Sequence, residues 1–136
     1  MLKKRLIPTL LYRENVLVKG KQFISKRKIG SIIESVKVYN LREVDELILL
    51  DVDKGSDEPD LNIISEAATE CFVPLAVGGG IRNLNMIYNI LRSGADKVCI
   101  NSHAIKNPNF IKDASREFGS QCIVISVDYI SNKKKI

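Results

Sequence analysis

The sequence predicts an α/β fold of about four and a half β-α units built on a parallel sheet. Three observations predict it. Short β-branched apolar runs alternate with longer segments whose apolar residues recur three and four apart. Successive strand candidates lie about 20 to 40 residues apart, enough for the crossover helix that a parallel pair requires. A glycine run, Val77-Gly78-Gly79-Gly80-Ile81-Arg82, stands where a buried-strand pattern gives way to a helical one.

Taken in order, the strand candidates are Arg5 to Leu11, Glu46 to Asp51, Pro74 to Val77, Lys97 to Ile100 and Cys122 to Val127. Helices are expected at about Ile29 to Tyr39, Asp60 to Cys71, Leu84 to Ser93 and Pro108 to Phe118, each with one apolar stripe to turn toward the sheet. The regular alternation excludes an all-α or an all-β fold. At 136 residues and 45% hydrophobic content, the chain is read as one domain, residues 1–136, large enough to bury a core. A (β/α)₈ barrel takes about 250 residues. The sequence stops near half of that, in Asn132-Lys133-Lys134-Lys135-Ile136 after the fifth strand, and a truncated product or fragment is expected.

Three glycines in a row let the backbone approach an anion closely and turn its N–H groups toward it, so the run reads as a phosphate cradle. A plain strand-to-helix turn uses the same residues. About twenty residues on, Ala95-Asp96-Lys97-Val98-Cys99-Ile100 ends in Asn101-Ser102, whose side chains offer donors. If the two strands are parallel neighbours, both loops open at the carboxyl edge of the sheet, where such sheets place their ligands.

The remaining composition narrows the functional classes. No apolar run approaches the roughly 20 residues that span a bilayer, and Pro8 interrupts the leading apolar stretch too early for a signal peptide, so no membrane association and a cytoplasmic location are expected. Cys71, Cys99 and Cys122 are odd in number and lack CxxC spacing; they read as small core residues, with no metal site and no cofactor expected. His103, the single histidine, reads as a surface residue. The net charge of +5 is gathered in Lys3-Lys4-Arg5, Lys26-Arg27-Lys28 and Lys133-Lys134-Lys135, with no interleaved aromatic platform and no Trp, so no nucleic-acid partner is expected. A phosphorylated small-molecule substrate accounts for the charge as well.

Met1-Leu2-Lys3-Lys4-Arg5-Leu6-Ile7-Pro8, Val18-Lys19-Gly20, Asp45-Glu46-Leu47, Val77 to Arg82, Ala95-Asp96-Lys97-Val98, Ile100-Asn101-Ser102 and Phe118-Gly119-Ser120-Gln121-Cys122-Ile123-Val124 occur in that order. Together they resemble the HisF family, the cyclase subunit of imidazole glycerol phosphate synthase in histidine biosynthesis. The similarity runs the length of the chain. It implies the N-terminal half of a (β/α)₈ TIM barrel that joins a HisH-like glutaminase subunit in a glutamine amidotransferase complex, receives ammonia through the barrel core and acts as a lyase. It also implies a phosphate site at Gly79, Gly80, Asn101 and Ser102, and an ammonia gate of Arg5, Glu46 and Lys97. Asp96 would face the partner, Lys19 would help to hold substrate, and Asp128 would be a catalytic carboxylate. For the three gate residues and Asp96, an ordinary strand-end salt bridge is the alternative.

One departure stands out. The resemblance places a second catalytic aspartate at the end of the first strand, where this chain has Leu11. A leucine cannot hold or release a proton, and the loss of such a group commonly lowers a rate by a factor of about 10² to 10⁴. If cyclisation persists, Asp128 is expected to work alone or with a substitute carboxylate such as Asp51 or Asp53. Without it, the chain resembles a paralogous branch that channels ammonia for amidation of a sugar in surface-polysaccharide synthesis. A third expectation is an inactive half-barrel fragment, with its first and fifth strands as open edges, that either pairs as a homodimer or does not fold stably.

Overall fold

The computed structural model describes residues 3–21, 24–52 and 58–128. Asp53 and the run Asn132 to Ile136 lie outside the described residues. The first strand, β1 (Thr9–Arg13), starts later than Arg5. Pro8 has no N–H for a ladder bond, and the stretch before it is instead fixed by two bonds to Asp45: Leu6 N donates to its Oδ2 at 2.6 Å, and its N–H donates to Leu6 O at 3.0 Å.

An unexpected hairpin follows. β2 (Val16–Lys21) and β3 (Ile24–Ser31) are antiparallel, and β2 also pairs antiparallel with the end of β1, Tyr12 opposite Leu17 and Arg13 opposite Val16. The β1–β2 turn places Glu14 and Asn15 at φ 47° and 62°, the left-handed pair that a two-residue hairpin needs. The end of β1 is therefore covered rather than open, and the outer edge on this side is β3.

Ile29 to Ser31 belong to β3, so the first helix, α1 (Ile32–Leu41), starts three residues beyond expectation, capped by the Ser31 side chain accepting from Glu34 N. Then come β4 (Leu47–Asp51), α2 (Leu61–Glu70), β5 (Leu75–Gly78), α3 (Leu84–Arg92), β6 (Lys97–Ile100), the short α4 (Ser102–Lys106), α5 (Pro108–Phe118) and, after a 3₁₀ turn over Ser120–Cys122, β7 (Ile123–Ile125). The starts of the longer helices follow local chemistry. Asp60 accepts from Asn62 N and Ile63 N, Asn83 accepts from Met86 N at 2.8 Å, and Pro108 occupies the first turn of α5. Asn40 ties two connections together: its amide donates to Glu70 O, and its Oδ1 accepts from Phe72 N at 3.2 Å.

Among the described residues the sheet order is β3-β2-β1-β4-β5-β6-β7, with β1, β4, β5, β6 and β7 mutually parallel. Alternation sorts their side chains. Leu10, Tyr12, Leu47, Leu49, Leu75, Val77, Val98 and Ile100 meet Ile32, Val36, Ile64, Ala67, Met86, Ile87, Ile90, Phe110 and Ala114 of the helices in one core. The opposite face carries two ranks set by the register: Thr9, Ile48, Ala76 and Lys97, then Leu11, Leu50, Gly78, Cys99 and Val124.

The cysteine and histidine expectations need adjusting. All three cysteines are free thiols; Cys99 is buried, whereas Cys71 and Cys122 are only half-buried. His103 is half-buried too, its ring edge-on to Phe110 with centroids 4.7 Å apart. Phe110 supplies the apolar contact that a fully solvated histidine would lack.

Two residues test this packing. Tyr12 is 1% exposed, and its hydroxyl has no hydrogen-bond partner among the described residues. Burial pushes that hydroxyl far above the usual phenol range, and the carboxylates of Asp51 and Asp60 push it further. Tyr12→Phe is expected to leave stability unchanged or raise it by about 1 kcal/mol in urea unfolding, because it removes an unmade hydrogen bond at little cost in packing; a loss beyond that range would show that the hydroxyl has a partner. Gly79 has φ +121°, and an added Cβ would come within 2.5 Å of Asp51 O. Gly80 has φ +63° with open space around it. Gly79→Ala should therefore cost about 3 kcal/mol and Gly80→Ala about 1 kcal/mol in the same measurement; equal costs would contradict the turn described.

Candidate functional site

The parallel register places the two small-residue loops side by side. Val77 pairs with Val98 and Gly78 with Cys99, so Gly79-Gly80 and Asn101-Ser102 leave the sheet at the same carboxyl edge. Gly78 fits because a Cβ there would lie 2.7 Å from both Cys99 O and a Leu50 methyl. Gly79 crosses the backbone of Asp51 in the same way. Only glycine lets the chain pass this close to two neighbouring strands and then turn outward. The Gly80 carbonyl accepts from Arg82 Nε at 3.2 Å, which holds the guanidinium of Arg82 against the loop.

β7 brings in the third element. Ile100 pairs with Ile125, and the chain then runs on to Asp128, which is exposed. Asn101 Nδ2 donates to Asp128 Oδ2 at 2.8 Å. One donor from the expected phosphate site and the expected catalytic carboxylate thus meet directly.

Lys19 is held elsewhere. It lies exposed on β2, paired in register with Arg27, and with Gly20, Arg27 and Ile29 it lines an open cleft of about 330 Å³. Among the described residues it makes no hydrogen bond or ion pair with the glycine loop or Asp128. Leu11 sits in the rank of Leu50, Gly78, Cys99 and Val124, so that rank offers no carboxylate at its first position. Asp51 pairs with Tyr12, one residue out of phase, on the helix-covered face. It is turned away from the face of Leu11.

The amino edge of the sheet carries a different chemistry. Glu46, two residues before Ile48 and on the same face, is 7% exposed, the only charged residue buried among the described residues. Both of its carboxylate oxygens are used: Arg5 Nη1 donates to Oε1, and Lys97 Nζ donates to Oε2 at 2.9 Å. A buried carboxylate needs such partners, since one left unpaired costs several kcal/mol. These three residues, 41 and 51 positions apart in sequence, form one cluster. Beside it, Asp96 is exposed; its Oδ2 accepts from Leu75 N at 2.8 Å and its own N–H donates to Leu75 O at 2.9 Å, which locks the feet of β5 and β6.

Sequence reasoning missed the hairpin that carries Lys19, the Asn101–Asp128 bond and the unpartnered Tyr12 hydroxyl. For the hairpin a signal was present in Val16-Leu17-Val18, a β-branched run behind the turn-forming Asn15. Among the described residues no group of three or more His, Cys, Asp or Glu side chains could hold a metal ion, and no helix is long and apolar enough to cross a membrane.

Comparison with known proteins places this arrangement. Residues 5–136 match the family described as "Histidine biosynthesis protein". A Campylobacter jejuni protein named as imidazole glycerol phosphate synthase subunit hisF2 is 49% identical over 129 residues, 94% of this chain and 52% of that protein. Subunit HisF of Staphylococcus saprophyticus is 47% identical over 130 residues, again 94% and 52%. A subunit hisF2 of Vibrio vulnificus is 46% identical over 132 residues, 96% and 48%. The chain spans about half the length of these curated relatives. With five parallel strands, helices on one face and this match across nearly its whole length, the chain belongs to the histidine biosynthesis protein family of (β/α)₈ barrels, as a HisF-like imidazole glycerol phosphate synthase subunit sequence.

Proposed function

We propose that this chain is part of the ammonia-accepting synthase subunit of a glutamine amidotransferase, working with a HisH-like glutaminase on a phosphorylated small-molecule substrate in the cytoplasm. The observation that carries this reading is the polarity of the sheet. A buried, doubly paired Glu46 sits at the amino edge of the uncovered face, and a glycine loop with Asn101, Ser102 and Asp128 sits at the carboxyl edge. Nitrogen released by a glutaminase at the charged end would travel along the face of Thr9, Ile48 and Ala76 toward a phosphate-anchored substrate at the other end. Gly79 and Gly80 would supply backbone N–H groups, Asn101 and Ser102 side-chain donors, and Lys19 a cation from the hairpin. Asp96, exposed at the charged end, would lie against the partner.

For the chemistry itself, Asp128, held by Asn101, would act as general acid or base in a histidine-pathway cyclisation. Leu11 favours a second reading. The rank of Leu11, Leu50, Cys99 and Val124 suits passage of uncharged ammonia better than proton transfer at the first strand, and supports a subunit that delivers ammonia for sugar amidation without cyclising.

The chain joined to the remaining half of a HisF relative tests both readings. With the formimino nucleotide substrate and saturating ammonium, a cyclising subunit should turn over as it stands, whereas a delivering one should gain activity only as Leu11→Asp, by about 10² or more. Turnover by the unaltered protein would end the delivery reading. In the same assembly with its glutaminase, Glu46→Gln should lower glutamine-supported turnover more than ammonium-supported turnover, and should lower stability by about 2 kcal/mol. An equal fall in both activities would remove Glu46 from nitrogen transfer.

A further inference from the structure

We propose that Asn101 is a positioning residue that bridges the Asp128 carboxylate to the anion held by the glycine loop. The inference rests on the phosphate-cradle reading for its second half only; the tie to Asp128 stands on geometry alone.

Asn101 precedes the first turn of α4, where an asparagine side chain ordinarily caps the helix by accepting a backbone N–H. Here it makes no capping bond. Its amide is directed instead to Asp128 Oδ2 at 2.8 Å, across from the end of β6 to the segment after β7. An ionised carboxylate only accepts, so it is the amide nitrogen that faces it. Among the described residues Asp128 has no ion pair, and this amide is its hydrogen-bond donor.

A primary amide carries two N–H groups. One is used by Asp128. The other remains on the same planar group, just past the end of β6, whose partner β5 runs into Gly79-Gly80 at the same edge of the sheet. An oxyanion seated on the glycine loop would take it, and the carboxylate would then stand at a distance from the anion fixed by one rigid amide. The consequence is orientation: substrate bound by its phosphate would meet Asp128 already held in place, an arrangement of the kind that raises the rate of a proton transfer without adding a catalytic group. Asn101 acts through Asp128 and touches no reacting atom itself.

The test uses the full chain at fixed pH, with the Asp128 carboxyl carbon and the Gly80 amide followed by NMR while inorganic phosphate is varied. Asn101→Ala removes the amide, and Asn101→Ser removes it while retaining a good capping residue, so a folded variant is secured. Both variants should shift the Asp128 carboxyl carbon signal while the backbone amides of β7 stay in place, an effect that a merely structural role for Asn101 would not produce. In the unaltered chain phosphate should move both the Gly80 amide and the Asp128 carboxyl signals. In the variants it should bind roughly fivefold more weakly and leave Asp128 unmoved. An Asp128 carboxyl signal that is the same in the unaltered chain and in both folded variants overturns the tie to Asp128. Failure of phosphate to move Gly80 in the unaltered chain overturns the cradle reading and with it the bridge, while the Asp128 signal in the variants still decides the tie.

Discussion

Every placement in this molecule follows from the register of its parallel strands. Pairing Leu11 with Leu50, Leu50 with Gly78, Gly78 with Cys99 and Cys99 with Val124 fixes which side chains face the helices and which face away. A slip of one residue in any pair would turn Leu47, Leu49, Val77 or Val98 out of the core and bring Glu46 or Lys97 in among the helices. The register therefore protects the core and, by the same act, collects the polar groups at the two ends of the uncovered face. Gly78 and Gly79 tighten it, because any side chain at either would press on the next strand.

The two edges obtain their order by opposite means. At the amino edge, charge is buried and satisfied: Glu46 uses both oxygens, and Asp45 and Asp96 secure backbone N–H groups of Leu6 and Leu75. At the carboxyl edge, backbone is exposed and side chains are short, so the polar groups have capacity to spare. Leu11 lies between the two edges, a leucine where the resemblance to the HisF family implies an aspartate.

Much of the framework was legible in the sequence because the signals were local. Asp60, Asn83 and Pro108 mark helix starts by capping chemistry, and Leu47 to Asp51 or Lys97 to Ile100 are short apolar runs between turn residues. The hairpin escaped because its turn is Glu14-Asn15 without glycine, and because Ile29 falls in phase with the apolar stripe of the helix that follows. The site divides in the same way. The glycine run announces itself; the Arg5, Glu46 and Lys97 cluster draws on three segments far apart in sequence and reached the reading only through resemblance. The Asn101–Asp128 bond depends on how the chain leaves β6 and β7, which no periodicity encodes.

The hairpin also changes what the basic residues mean. β3 is the outermost strand on its side of the sheet, a row of backbone groups onto which another strand could add. Arg27 and Lys28 stand exposed along it, and Lys28 is only loosely offset by Glu14 at 3.5 Å. Two like strands approaching this border would bring cation against cation. Charge that reads in the sequence as an invitation to phosphate thus also works as a barrier, one that discourages the sheet from growing into its neighbours.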